Sequence, residues 1–245
     1  MVKRLNILIV LCLIVCFSAS VIYAKEISGT IPLKKGQESL EVTLTRGELR
    51  IEVSDEKIDL EHEVTENDSP IKYRIRLQPN LGWFTGKNLD NCKATPTLNN
   101  LEIDGNCGDV EVTAAIVVPS NIVLTAKVKN GMITFLSGSI LQANLLVEQG
   151  SLLFKGETTA NSKLQLHVEQ GSLEFKPTHI QKNPCIKVEL GQGVLTAKNI
   201  SIPASERINA WIEAYPKISL YPTSQCSDKN SNIELIVDQG DLSIK

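Results

Sequence analysis

The most ordered feature of the chain is an alternation of apolar and polar positions that restarts at spaced glycines. With Gly47, Gly108, Gly131, Gly150, Gly171, Gly193 and Gly240 set at a common zero, five positions are apolar: seven, five and three residues before, and two and four after. Gly105 is the single exception. In a chain that is 42% hydrophobic, chance would fill fewer than half of these positions. Around Gly150 the set is Ala143, Leu145, Val147, Leu152 and Phe154; around Gly171 it is Leu164, Leu166, Val168, Leu173 and Phe175. A period of two predicts strands with one buried face. The apolar offsets are odd before each glycine and even after it, so the chain must kink there while returning its apolar side chains to one core. Glycine suits such a corner because it accepts positive φ. Asn130-Gly131 also fits a two-residue hairpin turn, which leaves an antiparallel meander of hairpins as the alternative. No segment beyond residue 24 has a helical period.

The same phrase recurs along the chain. "LLVEQGSLLFKG" at 145–156 returns as "LHVEQGSLEFKP" and, at the end, as "LIVDQGDLSIK". Gly131, Gly150, Gly171 and Gly193 stand 19, 21 and 22 residues apart. A further unit hides in "IPASERINAWIEAY", where Pro203 precedes Ile208 as Pro119 precedes Leu124 and Tyr215 takes the place of the glycine. Self-similarity at this spacing predicts an all-β, single-domain β-solenoid of roughly eight coils of ~20 residues, with glycine at the corners. The domain spans 25–245, with an irregular insertion around 78–100, where "LQPNLGWFTGKNLDNCKATPTLNN" breaks the register. Structureless stretches of this length inside a domain are either functional or disordered.

The first 24 residues form a separate unit. Lys3 and Arg4 precede an apolar run from Ile7 to Phe17 and a short segment ending at Ala24. This is the layout of a secretory signal peptide, with cleavage after Ala24. An uncleaved anchor is the alternative, and "LIVC" at Cys16 has Val15 where a lipidation motif needs Gly, Ala or Ser directly before the cysteine. Removing this segment deletes two cations and takes the formal charge from −3 to −5. A mildly acidic chain makes nucleic acid a poor partner, because phosphate binding requires a basic face. Cys12 and Cys16 leave with the signal; Cys92, Cys107, Cys185 and Cys226 remain. An even number in an exported chain predicts two disulfides, with the sequence-near pairs Cys92–Cys107 and Cys185–Cys226 chosen among three connectivities.

"VTLTRGELRIEV", "VEVTAAIVVPSNIVLTAKVKNGMITF" and the "VEQGSL" units resemble the bacterial putative-adhesin family of β-solenoids, a domain of unknown function related to the head-GIN adhesin domains. The likeness covers nearly all of residues 36–245. It departs from that family in the Gln before the glycine, the cysteine-bearing insertion and the four cysteines. The resemblance implies export from a bacterium and a stacked β fold, and it carries no catalytic residues.

Stacked coils would align equal positions into rows. The residue before each glycine gives Asn130, Gln149, Gln170, Gln192 and Gln239, either a recognition stripe or a solvated ladder that stabilises the stack. Glu148, Glu169 and Asp238, with Asp241 nearby, offer hard oxygen ligands for calcium, but Gly191 interrupts them and no calcium-loop spacing appears. His62, His167 and His179 have no second ligand at metal-site spacing, so neither a metal nor any other cofactor is expected. Lys155, Lys176 and Lys198 fall five residues after their glycines, beside acids on neighbouring offsets. Aromatic residues are 4% of the chain. Trp83, Phe84 and Trp211 are therefore the candidate binding residues, able to stack on a sugar or anchor a protein when exposed, or to cap the stack when buried. The pattern favours a non-enzymatic envelope or cell-surface scaffold of adhesin type, periplasmic or secreted, with an unidentified protein or glycan partner. It would meet the membrane only through an uncleaved signal. A glycan-cleaving β-helix enzyme and a purely structural envelope protein are the alternatives.

Overall fold

The computed structural model describes residues 24–33, 38–55, 69, 71–79, 92–108, 110–181, 184–200, 207–212 and 232–245. Residues 1–23 of the expected signal segment, His62, Trp83, Phe84 and Cys226 lie outside them. Among the described residues there is no helix. The strands are β1 (Lys25–Thr30), β2 (Ser39–Ser54), β3 (Lys72–Pro79), β4 (Lys93–Thr97), β5 (Asn100–Asp104), β6 (Val110–Pro119) and β7 (Val123–Ser137). They continue with β8 (Ser139–Phe154), β9 (Glu157–Phe175), β10 (His179–Ile180), β11 (Cys185–Ala197), β12 (Arg207–Ile212) and β13 (Asn232–Ile244). All belong to one sheet, whose main path runs β1-β3-β6-β2-β7-β8-β9-β11-β13-β12.

Six glycine-centred strands pair in parallel and in one register, with Gly47, Gly131, Gly150, Gly171, Gly193 and Gly240 side by side. Val147, Val168 and Leu190 are consequently lateral neighbours. Asn130 and Gly131 lie inside β7, and both of its partners run parallel to it, so they form no hairpin turn. The six glycines have φ between 131° and 142°, a region closed to residues with a β-carbon. Crowding adds to this requirement. A β-carbon at 131, 150, 171, 193 or 240 would collide with the carbonyl oxygen of the glycine before it in the stack.

The kink delivers what the phase slip demands. In β8, Ala143, Leu145 and Val147 are buried before the glycine, and Leu152 and Phe154 after it. Equal positions from successive strands fill the interior as rows. Phe135, Phe154 and Phe175 are fully buried, with ring centroids 4.8 Å and 5.7 Å apart. At one end of the sheet, β1 and β3 add antiparallel strands beyond β6.

Two expectations are corrected. Gly108 is no corner of the stack: Val42 pairs with Leu101, Leu44 with Ile103, and Leu49 with Ala114. Nine residues separate Ile103 from Thr113, whereas three separate their partners Leu44 and Glu48. The surplus carries Gly108, and nothing stands within 4 Å of where its β-carbon would be. The register is offset by two residues before Gly108 and four after it, and even shifts preserve the parity of an alternating strand, so the apolar pattern conceals them. Of the unit ending at Tyr215 the described residues, 207–212, keep the expected register, since Ile208 pairs with Ile233, but β12 does not sit on β11; Tyr215 lies outside the described residues. The later strand β13 takes that place and leaves β12 outside. Gly240 fits against the Gly193 carbonyl; a tyrosine at that position would bring a β-carbon into it.

The expected insertion contains ordered structure at its end. β4 pairs antiparallel with β5, and Cys92 just before it is bonded to Cys107, as the cysteine spacing suggests.

Candidate binding face

Each glycine-centred strand turns the side chains between its buried positions outward, and the parallel register lines them up across the sheet. On the arm before the glycine, the amides Asn130, Gln149, Gln170, Gln192 and Gln239 form the expected row. The four glutamines are exposed.

Further from the corner, two, four and six residues before the glycine, the outward side chains include charged ones. Lys127 Nζ stands 2.7 Å from Glu148 Oε1 on the next strand. Glu148 raises the lysine's pKa first, by hydrogen bonding and then by charge, and Glu169 adds to it. One step along, Glu189 Oε2 lies 3.0 Å from Lys187 Nζ and 3.6 Å from His167 Nδ1. At 3.6 Å the His167 contact is longer than a well-formed hydrogen bond. His167, then Lys187, holds the Glu189 carboxyl at about 2 against the opposing effect of burial. His167 is thus part of a cross-strand charge cluster. Of the carboxylates considered for calcium, Glu148 is paired with Lys127, and no group of three or more His, Cys, Asp or Glu among the described residues is arranged to hold a metal ion.

The arm after the glycine carries a second set of rows. Glu48 takes both Arg50 Nε and Nη2 at 2.8 Å and faces Thr134 Oγ1 at 3.4 Å. Lys198 Nζ donates to Glu174 Oε1 at 2.9 Å. Lys198 lowers the Glu174 pKa, with burial acting against it and Lys176 and Lys155 contributing through space.

Trp211 lies in β12, its backbone paired with Ile236. That is the same register position as Glu189 and His167 on the strands beyond. Cys185 is disulfide-bonded, and its expected partner Cys226 is outside the described residues. The cross-strand pairs Lys127–Glu148 and His167–Glu189 were not singled out from the sequence. Their signal was available as opposite charges on adjacent offsets of successive repeats.

No protein-family model matches the chain, and comparison with curated proteins finds no match. Three solved structures are similar at a low level. One is a putative cell adhesion protein from Clostridium sporogenes ATCC 15579, at 18% identity and a TM-score of 0.38, covering 91% of this chain and 98% of that one. A putative adhesin from Bacteroides fragilis NCTC 9343 is 12% identical with a TM-score of 0.29, covering 90% and 96%. A putative adhesin from Parabacteroides merdae ATCC 43184 is 9% identical with a TM-score of 0.23, covering 93% and 97%.

Proposed function

We propose that the chain is an exported, non-enzymatic binding scaffold of the cell envelope or surface, wound as a β-solenoid. The reading rests on the common register of the six glycine-centred strands, which repeats each outward position as a row along an extended face. Stacked repeats characteristically bind through such surfaces. Winding is supported by chain length. Val123 pairs with Gln142 and Phe135 with Phe154. The seven residues from Phe135 to Gln142 reach at most about 25 Å, whereas the twelve from Val123 to Phe135 would extend about 40 Å if straight. Each strand must therefore fold back on itself, and its bend supplies the return that a parallel pair ordinarily takes from a crossover of about a dozen residues. Export rests on the charged, apolar and small-residue segments before Lys25.

The test is to present the mature chain to intact bacterial cells and to a panel of envelope polysaccharides, recording both binding and products. Saturable binding without new chain ends is the expected result. Turnover of a polysaccharide, lost in a carboxylate-to-amide variant, would replace the scaffold with an enzyme.

A further inference from the structure

Five residues after the corner glycine, a lysine immediately follows each of three neighbouring strands, β8, β9 and β11: Lys155, Lys176 and Lys198. Their backbone N–H groups donate to the carbonyls of Phe135, Phe154 and Phe175, each at 2.9 Å, so each lysine is seated on the strand before it. Lys245 repeats the bond, to Ala197, at 2.9 Å. Seated this way, the lysines recur at the strand spacing, about 4.8 Å. Their side chains leave on the outer face, where Lys198 meets Glu174. Among the described residues Lys155 and Lys176 have no ion-pair partner. Like charges at this spacing repel, and one carboxylate answers three cations here. Small hydroxyl side chains accompany them: Ser151 is paired with Ser172, and Thr196 with Glu174.

We propose that this lysine ladder is the docking line for a linear anionic polysaccharide with one carboxylate per sugar, laid along the stacking direction. The proposal rests on the binding-scaffold reading and names its ligand class. A polyuronate presents single, regularly spaced carboxylates, and each could meet one lysine while the serine and threonine hydroxyls bond to ring hydroxyls. Duplex DNA is a poor counterpart: it carries one charge per about 1.7 Å of axis and needs a broad basic face, whereas this chain is net acidic.

The experiment is titration of the full mature chain with polygalacturonate at low ionic strength, by calorimetry, with dextran and duplex DNA as comparison polymers. Lys155→Gln/Lys176→Gln/Lys198→Gln is expected to weaken binding about tenfold, the combined effect of three exposed ion pairs each worth a few-fold. Added salt should weaken the unaltered protein as well. Glu174→Gln, which releases Lys198, is expected to tighten binding. Glutamine keeps most of the lysine stem, and an unchanged melting temperature will show that the triple variant is folded. Equal affinity of the triple variant, equal binding of dextran, or equal binding of DNA would overturn the ladder. Failure to bind polygalacturonate alongside binding to another envelope surface would overturn the ladder and leave the scaffold reading standing. Cleavage of the polymer would overturn the scaffold reading itself.

Discussion

The carbonyl oxygen of Gly150 fills the space that a β-carbon at position 171 would occupy. Gly171→Ala thus meets two costs. Its φ of 137° is open essentially to glycine alone, and the obstructing atom is backbone that cannot rotate away. Together they are expected to destabilise the protein by about 3 kcal/mol or more. Gly108 also has positive φ, at 80°, but open space around it. Gly108→Ala should cost only about 1 kcal/mol. Urea melts of the two variants check this, and equal losses would show that the carbonyl row is not what demands glycine.

Phe154 is sandwiched between Phe135 and Phe175 and has no exposed surface. Truncation to alanine leaves a cavity between two rings that the backbone ladders hold in place. A loss of about 3–5 kcal/mol in denaturant melts is expected, and Phe154→Leu should recover most of it. A loss under about 1 kcal/mol for Phe154→Ala would remove Phe154 from the core.

Glu189 links stability to acidity. Its carboxyl lies at about 2 in the folded protein, against 4.5 as the ordinary value. Folding therefore favours the ionised form. The contribution is complete above pH 4.5 and disappears as the pH falls to about 2. Because its partners His167 and Lys187 are partly exposed, the effect at neutral pH should be on the order of 1–2 kcal/mol. Glu189→Gln is expected to be less stable by that amount at pH 7 and indistinguishable at about pH 2, as read from melts across the acid range.

Cys92 and Cys107 close a loop with a sequence separation of 15. A closed loop of that size constrains the unfolded chain by about 3 kcal/mol. Cys92→Ser/Cys107→Ser should therefore melt several degrees lower while keeping its strand content by circular dichroism. With Cys185 also bonded, thiol titration of the denatured, unreduced mature protein is expected to find no free cysteine. Two free thiols would contradict it.

The alternating apolar positions and the glycine spacing were enough to read the strands, their buried faces, the kinks and the common register from Gly131 to Gly193. Each of these depends on local geometry: side chains alternate along a strand, and glycine alone accepts the corner. The Cys92–Cys107 bond was legible too, since near neighbours in sequence readily meet. Tertiary structure decided what local pattern leaves degenerate. It placed β13 between β11 and β12, because a residue with a β-carbon cannot follow Gly193 at the corner. It moved Gly108 out of the stack, because shifts by an even number of residues leave alternation intact. It also paired Lys127 with Glu148 and Glu189 with His167. Those partners meet only when strands from different repeats lie side by side, and the alternation of apolar residues is blind to which outward charges become neighbours.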